Sequence, residues 1–180
     1  TGDHRPETIY ADATFLLVEM NLVGDNRHFI YVYNRATQAL LWQTELPMDI
    51  VAICPLQQDE VLVFGNANGQ SRVFHFDMRE NSYWEPRQLP TGVVLTATKM
   101  NGLQFAISHS NGIYAYTYSP NYLNLIKAGN VYQDVCFDVD NGTLVAANGS
   151  MLEQLTINGQ TIGALSLSDS IVSVDIHYTR

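Results

Sequence analysis

A pattern of four short segments recurs about every forty residues along this chain. The first segment of the pattern begins alike at four places, with the apolar residues Ile50, Val93, Val131 and Ile171, which lie 43, 38 and 40 residues apart. Within each interval, two more apolar segments and a more polar fourth segment follow the first. A repeat at a fixed period constrains the fold more than any local pattern, because every repeat has to form the same structural unit.

Tight turns separate the segments of each repeat. The dipeptide Asn-Gly occurs at residues 68–69, 101–102, 111–112, 141–142, 148–149 and 158–159. A two-residue type I′ turn needs positive φ at both central positions, and these two residue types tolerate it best. Helix signals are nearly absent, so the spacing predicts a series of antiparallel hairpins.

Four strands per forty residues is the pattern of a propeller blade, whereas a sandwich or an irregular barrel would not repeat its strands in one order. The sequence therefore predicts an all-β protein, a β-propeller of four-stranded antiparallel blades with about four blades present. A single domain or propeller segment is expected over residues 1–180. Its approximate blade units are 8–48, 49–91, 92–129 and 130–169, and 170–180 is a closing or next-blade strand.

The two ends of the chain look complementary. Residues 14–20, 28–34 and 39–46 read as the second to fourth strands of a blade, while the preceding residues 5–10 are poorly strand-like. Residues 171–178 read as a lone first strand. The two ends could pair within a closed four-bladed ring. Alternatively, the chain is a segment of a larger propeller, completed by missing chain or by self-association with a second copy.

Residues 29–46 resemble the third strand, turn and fourth strand of propeller blades of the WD40 and quinoprotein-like types. In those families a strand ending in Asp leads through a Thr-Gly turn to a Leu-Trp pair. Here Asn34 stands at the Asp position, Gln38 at the Gly position, and Leu41 and Trp42 close the pattern. The Gly-His and Trp-Asp signatures of WD40 repeats are missing, so the resemblance indicates architecture and no subfamily.

The charge of the chain bears on its partners. A formal net charge of −9 and a pI near 4.7 argue against nucleic acid, which is bound through clustered Lys and Arg. No apolar run approaches the roughly 20 residues of a membrane span, so no membrane insertion is expected.

Cys54 and Cys136 fall on the same repeat position, where unpaired buried thiols are expected. These unpaired cysteines slightly favour a cytoplasmic location. Because the sequence lacks an initiator Met, a processed extracytoplasmic form is the alternative.

Residue patterns that carry chemistry are weak in this sequence. The acidic run Asp138-Val-Asp140 before Gly142 has the wrong spacing for a calcium loop of the EF-hand type. Ser173, Asp175 and His177 alternate along one predicted strand, which holds them about 6.5–7 Å apart and parallel, too far for a triad. The histidines show no zinc spacing. We therefore predict no catalytic residue, no metal and no cofactor.

Two functional hypotheses remain. The first is a non-enzymatic platform that binds another protein or a neighbouring domain. Its predicted contact residues are Tyr83, Trp84, Arg87 and Tyr122, which accompany prolines between third and fourth strands; the fourth strand of the second blade is predicted at residues 84–89. The alternative is a small-ligand or carbohydrate site at the mouth of the central channel, with or without enzymatic activity. Its predicted residues are Gln133, Asp134, Ser173 and Asp175.

Overall fold

The computed structural model describes residues 4–22 and 27–176, and these contain strands, turns and irregular segments but no helix. The strands form four antiparallel sheets of four strands each, and the strand order within every sheet follows the chain. This confirms the predicted all-β fold of four-stranded antiparallel sheets. Within the described residues there is accordingly no helix that could cross a membrane.

The chain divides into two compact units, Thr1–Leu89 and Pro90–Arg180. The first unit contains β1 (His4–Ala11), β2 (Phe15–Leu22), β3 (Arg27–Asn34), β4 (Leu40–Leu46), β5 (Asp49–Gln57), β6 (Glu60–Ala67), β7 (Gln70–Asp77) and β8 (Ser82–Trp84). The second unit contains β9 (Val94–Lys99), β10 (Gln104–His109), β11 (Gly112–Thr117), β12 (Tyr122–Ala128), β13 (Asp134–Asp138), β14 (Thr143–Asn148), β15 (Met151–Thr156) and β16 (Thr161–Ser166). The single domain over residues 1–180 and its blade limits stay a prediction.

Alternating side chains build the core of the first unit. In β2 and in β3 three alternate residues are buried, and Leu17 and Val32 are register partners with no exposed surface. Burying such a side chain stabilises the fold by roughly 1.5–3 kcal/mol. The buried members of this core are Phe15, Leu17, Ile30, Val32, Leu46, Met48, Val61, Val63, Phe74, Phe76 and Met78.

The core of the second unit contains one buried tyrosine, Tyr132, together with aliphatic and aromatic side chains. Its buried members are Met100, Ala106, Ile113, Tyr132, Val135, Phe137, Leu144, Ala146 and Leu155. The hydroxyl of Ser108, itself fully buried, donates a hydrogen bond to the backbone carbonyl of Tyr132. This bond satisfies a polar group that would otherwise be buried without a partner.

The hairpin loops lie where the Asn-Gly dipeptides predict them, but their geometry differs from the prediction at most sites. Asn68 and Gly69 both have positive φ, 51° and 72°, as a type I′ turn requires. At the other five dipeptides, all within the described residues, the glycine alone has positive φ. Three of those five loops are longer than two residues, as between β13 and β14, where one left-handed residue is enough to close the loop.

The N-terminal segment departs from the sequence prediction. Residues 5–10, expected to be poorly strand-like, belong to β1 and pair antiparallel with β2. The register shifts between Pro6 and Ile9, which accommodates the proline. Proline is tolerated there because β1 is an edge strand, on which alternate backbone N–H groups need no partner. The first sheet therefore has its own first strand.

The fourth strand of the second sheet also lies elsewhere than predicted. It spans only Ser82–Trp84, and residues 85–90 are not strand, so the predicted strand at 84–89 is wrong. Asp77 Oδ1 accepts hydrogen bonds from the backbone N–H groups of Arg79 and Glu80, which turns the chain early. Pro86 and Pro90 lack the N–H donors that a longer strand would use.

The C-terminal segment forms no strand over residues 171–176, so the predicted lone first strand is wrong there; residues 177 and 178 lie outside the described residues. The segment is held instead by single hydrogen bonds, including one from the Ile171 N–H to the Gly149 carbonyl, 2.8 Å. The last sheet also begins later than expected, since β13 starts at Asp134 and not at Val131.

Candidate interaction surface

Two aromatic side chains stand partly exposed on the short edge strand β8. Tyr83 is 36% exposed and Trp84 is 43% exposed. The sequence predicted Tyr83 in the connection between the third and fourth strands and Trp84 where that connection meets the fourth strand, whereas both lie on β8, paired with Phe76 and His75 of β7. We call Tyr83 and Trp84, with the β7 residues beneath them, the β8 aromatic surface.

Buried rings of β7 hold Tyr83 in place. Tyr83 stacks on Phe76 with ring centroids 5.1 Å apart and contacts Phe74 edge-on at 5.7 Å. Phe76 in turn stacks on Trp42 of the first sheet at 6.0 Å. Because the side chains of β7 alternate, Phe74 and Phe76 lie on the same face as Tyr83. The tyrosine is therefore fixed before any partner arrives.

Trp84 lies on the opposite face of the strand, over His75, with ring centroids 3.9 Å apart. His75 is buried, and its Nε2 lies 3.0 Å from Glu60 Oε2. Burial lowers the pKa of His75, although the nearby Glu60 carboxylate opposes this shift. At neutral pH the imidazole is therefore uncharged and offers Trp84 an apolar support.

Paired charges surround the β8 aromatic surface. Arg72 forms a bidentate ion pair with Glu85, 2.5 Å from Nε to Oε1 and 2.7 Å from an Nη to Oε2, and its guanidinium lies 5.2 Å from the Phe74 ring. Arg79 pairs with Asp59. Aromatic anchors within a rim of satisfied polar groups are typical of protein interfaces.

The other predicted contact residues are placed differently. Arg87 is half-buried beyond the end of β8, and its Nε lies 3.4 Å from the Gln88 carbonyl. Tyr122 begins β12 in the second unit and is 59% exposed. Arg87 and Tyr122 thus stay predicted contact residues, and neither is part of the β8 aromatic surface.

Gln133 and Asp134, predicted for a ligand site, hold the C-terminal segment. Gln133 Nε2 donates to the carbonyls of Gly149 and Ile171 at 3.0 and 2.8 Å. Asp134 Oδ2 accepts from the Val174 N–H at 2.7 Å. Ser173 and Asp175 are exposed on that segment, and His177 lies outside the described residues.

The second unit has a groove of about 380 Å³ beside this segment. It is lined by Asp138, Val145, Leu152, Gln154, Gly163, Ala164, Leu165 and Ile176. Gln133, Asp134, Ser173 and Asp175 do not line it. The small-ligand site stays a prediction.

Neither cysteine forms a disulfide; Cys54 is buried and Cys136 is half-buried. Burial raises the pKa of Cys136 to about 11, and the carboxylates of Asp134, Asp175 and Asp138 contribute to the shift. Only the thiolate attacks an alkylating reagent. A thiol of this pKa is a poor nucleophile at neutral pH.

We expect iodoacetamide to alkylate Cys136 about 100-fold more slowly in the folded protein than in the urea-unfolded chain near pH 8, since the thiolate fraction falls in that proportion. Peptide mass spectrometry measures the rate at Cys136 itself. The rate of alkylation at Cys136 in the folded protein should keep rising beyond pH 10. A plateau of this rate near pH 9 would show instead that access of iodoacetamide to the thiol, and not the thiol pKa, limits the reaction.

One cluster in the first unit has the chemistry of a metal site. Glu7, Glu19 and His28 each offer a ligand atom, and these atoms all lie within 4.8 Å of one another. Within residues 4–22 and 27–176, no other three His, Cys, Asp or Glu side chains meet in this way. No metal was predicted from the sequence, in which these three residues lie on three separate strands.

Neither a family model nor a curated protein matches this sequence. Solved structures do match its fold. A chain in the crystal structure of a mitotic checkpoint complex superposes with a TM-score of 0.69 at 12% identity, over 94% of this chain and 53% of that one. BamB from Moraxella catarrhalis gives 0.58 at 14% identity, over 96% and 51%. The dihydro-heme d1 dehydrogenase NirN, in complex with DHE, gives 0.66 at 14% identity, over 86% and 35%.

These similarities and the four four-stranded sheets define the fold as a β-propeller fold. The chain spans between 35% and 53% of the length of these three structures. At such low identity the likeness concerns the fold alone. The WD40-like or quinoprotein-like character of the blades stays an interpretation of the sequence.

Proposed function

We propose that this chain is a non-enzymatic protein-interaction platform and that its partner contacts the β8 aromatic surface. The observation that carries the proposal is the pair of half-exposed rings, Tyr83 and Trp84, fixed on buried side chains of β7. Trp and Tyr are enriched among the residues that dominate binding energy, and rigid anchors lose little conformational entropy on binding.

The shape of the surface favours one kind of partner. β8 has only three residues, which is too short to add an extended strand of another protein along its edge. Its two rings instead project on opposite faces of the edge strand. We therefore infer a folded protein with an apolar cleft that receives Trp84, and basic residues around it, because the chain carries a net charge of −9.

The structural neighbours support a binding role without deciding it. One comes from a mitotic checkpoint complex, which is an assembly of proteins, whereas NirN is described as a dehydrogenase in complex with a ligand. The same fold thus serves both classes. The non-enzymatic part of the proposal rests on the sequence, whose residue patterns match no hydrolase triad, zinc spacing or phosphate loop.

The test begins by identifying the partner at the surface itself. A photo-crosslinking amino acid at position 82, exposed at the start of β8 beside the two rings, captures in the full chain whatever protein lies there, and the captured protein is then purified. Calorimetry with that purified protein should show Trp84→Ala weakening the affinity by about 30-fold or more, which is typical of an interface anchor. Tyr83→Ala should weaken it as well.

Leu125→Ala is the matched control. Leu125 lies on the edge strand β12 and is 44% exposed, close to the exposure of Trp84. This variant should leave the affinity within about twofold. Equal binding by wild type, Trp84→Ala and Tyr83→Ala would contradict the proposal, and so would measured turnover of a small substrate by the purified chain. Tyr122→Ala tests the other predicted contact residue separately.

A further inference from the structure

A histidine and two glutamates from three neighbouring strands meet on one face of the first sheet. Glu7 lies on β1, Glu19 on β2 and His28 on β3. His28 is the register partner of Asn21, so Glu19, two residues before Asn21, lies diagonally across from it on the same face. The register shift between Pro6 and Ile9 sets Glu7 opposite this position.

The central carboxylate of this cluster is buried and only partly satisfied. Glu19 is 1% exposed, and its Oε1 lies 2.9 Å from His28 Nδ1. Its Oε2 is buried without a hydrogen-bond partner among the described residues, and so is the side-chain oxygen of the neighbouring Asn21. Buried polar atoms of this kind nearly always have a partner in native proteins. Two orphan buried oxygens on one face of β2 therefore point to a cation ligand.

The charges of the cluster lead to the same conclusion. Asp49 Oδ1 lies 2.9 Å from His28 Nε2, at ion-pair distance but without the alignment of a hydrogen bond. Three carboxylates, those of Glu7, Glu19 and Asp49, therefore surround one imidazole. Even a protonated His28 supplies only one positive charge against the three carboxylates of this set. Such an excess of negative charge is unfavourable unless a cation compensates it.

We propose that Glu7, Glu19 and His28 bind a divalent transition-metal ion that joins β1 to β2 and β3. An imidazole with two carboxylates suits ions such as Zn²⁺ or Mn²⁺. Nδ1 of His28 faces Glu19 and is the ligand atom, while Asp49 beside Nε2 orients the ring, as carboxylates commonly do for metal-bound histidines. Glu7 is exposed, so the ion enters from solvent on that side.

The experiment uses the chelator-treated full chain and Zn²⁺ alone as the probe. Calorimetry should show one saturable site, and the midpoint of thermal unfolding should rise with Zn²⁺. Glu19→Gln and Glu7→Gln should each weaken Zn²⁺ binding by at least about tenfold. Co²⁺ in place of Zn²⁺ should give visible absorption bands that both variants lose.

Glu60→Gln is the matched control. It alters another His–Glu pair of the same unit, the buried His75 with the half-buried Glu60, which has no third ligand among the described residues. It should leave Zn²⁺ affinity unchanged. If circular dichroism shows that Glu19→Gln does not fold, the Zn²⁺ affinity of Glu7→Gln, a change at an exposed residue, tests the proposal. The proposal would be overturned if calorimetry showed no single saturable Zn²⁺ site. It would also be overturned if all variants bound Zn²⁺ with equal affinity, as expected when only surface histidines bind the ion.

Discussion

Replacing Gly159 with alanine is expected to lower the free energy of unfolding by about 3–5 kcal/mol, a large loss for a single substitution. Gly159 has φ of +80°, a conformation that costs an L-residue about 1–2 kcal/mol. An added Cβ would also lie 1.6 Å from the carbonyl oxygen of Ile126 on β12. Since that oxygen is backbone, the strand itself would have to move.

Gly149→Ala separates these two contributions. Gly149 also follows an asparagine in the same sheet and has φ of +60°, but a Cβ there meets no atom within 4 Å. We expect this variant to lose only the conformational term, about 1–2 kcal/mol. Urea unfolding at equilibrium measures both values. Equal losses in the two variants would show that the contact with Ile126 carries no weight.

The repeat made most of this fold predictable. Because each repeat has to bury the same faces, its period fixed the number of strands and their order without any knowledge of long-range contacts. β1 was missed since its sequence, His-Arg-Pro-Glu-Thr-Ile-Tyr-Ala, lacks the alternation of an ordinary strand. Its pairing depends on the neighbouring β2 and on a register shift, and neither can be read from local composition.

The candidate surface was predicted in part. Tyr83 and Trp84 were singled out because large aromatics beside proline are hard to bury, but their position on a strand depends on where Asp77 turns the chain. Sequence composition does not reveal which ring lies beneath which. The supports from Phe76 and His75 follow only from the β7–β8 register.

The Glu19–His28 cluster could have been suspected from one signal. Phe15 and Leu17 define the buried face of β2, and Glu19 continues that phase by two residues. An acidic residue in the buried phase of a strand needs a partner, because burying an unpaired charge is unfavourable. The identity of the partners was not predictable, since it depends on the β1–β2 and β2–β3 registers.

The second large effect is expected at Phe76, which supports the β8 aromatic surface from within the core. Phe76 has no exposed surface, and it stacks on both Tyr83 and Trp42. Phe76→Ala should lower the free energy of unfolding by about 3–5 kcal/mol, through lost burial and the cavity left behind. Leu125→Ala, at an exposed site, should stay within about 0.5 kcal/mol. Chemical denaturation compares the two.

A double-mutant cycle then asks whether Phe76 positions Tyr83 or merely fills space. If the stacked pair acts together, the losses from Phe76→Leu and Tyr83→Ala should fall short of additivity by about 0.5–1.5 kcal/mol. Phe76→Leu should also weaken binding of the crosslinked partner, although Phe76 is buried and cannot touch it, because Tyr83 would lose the ring that fixes it. Strict additivity, together with unchanged partner affinity in Phe76→Leu, would mean that the exposed tyrosine needs no support from the core.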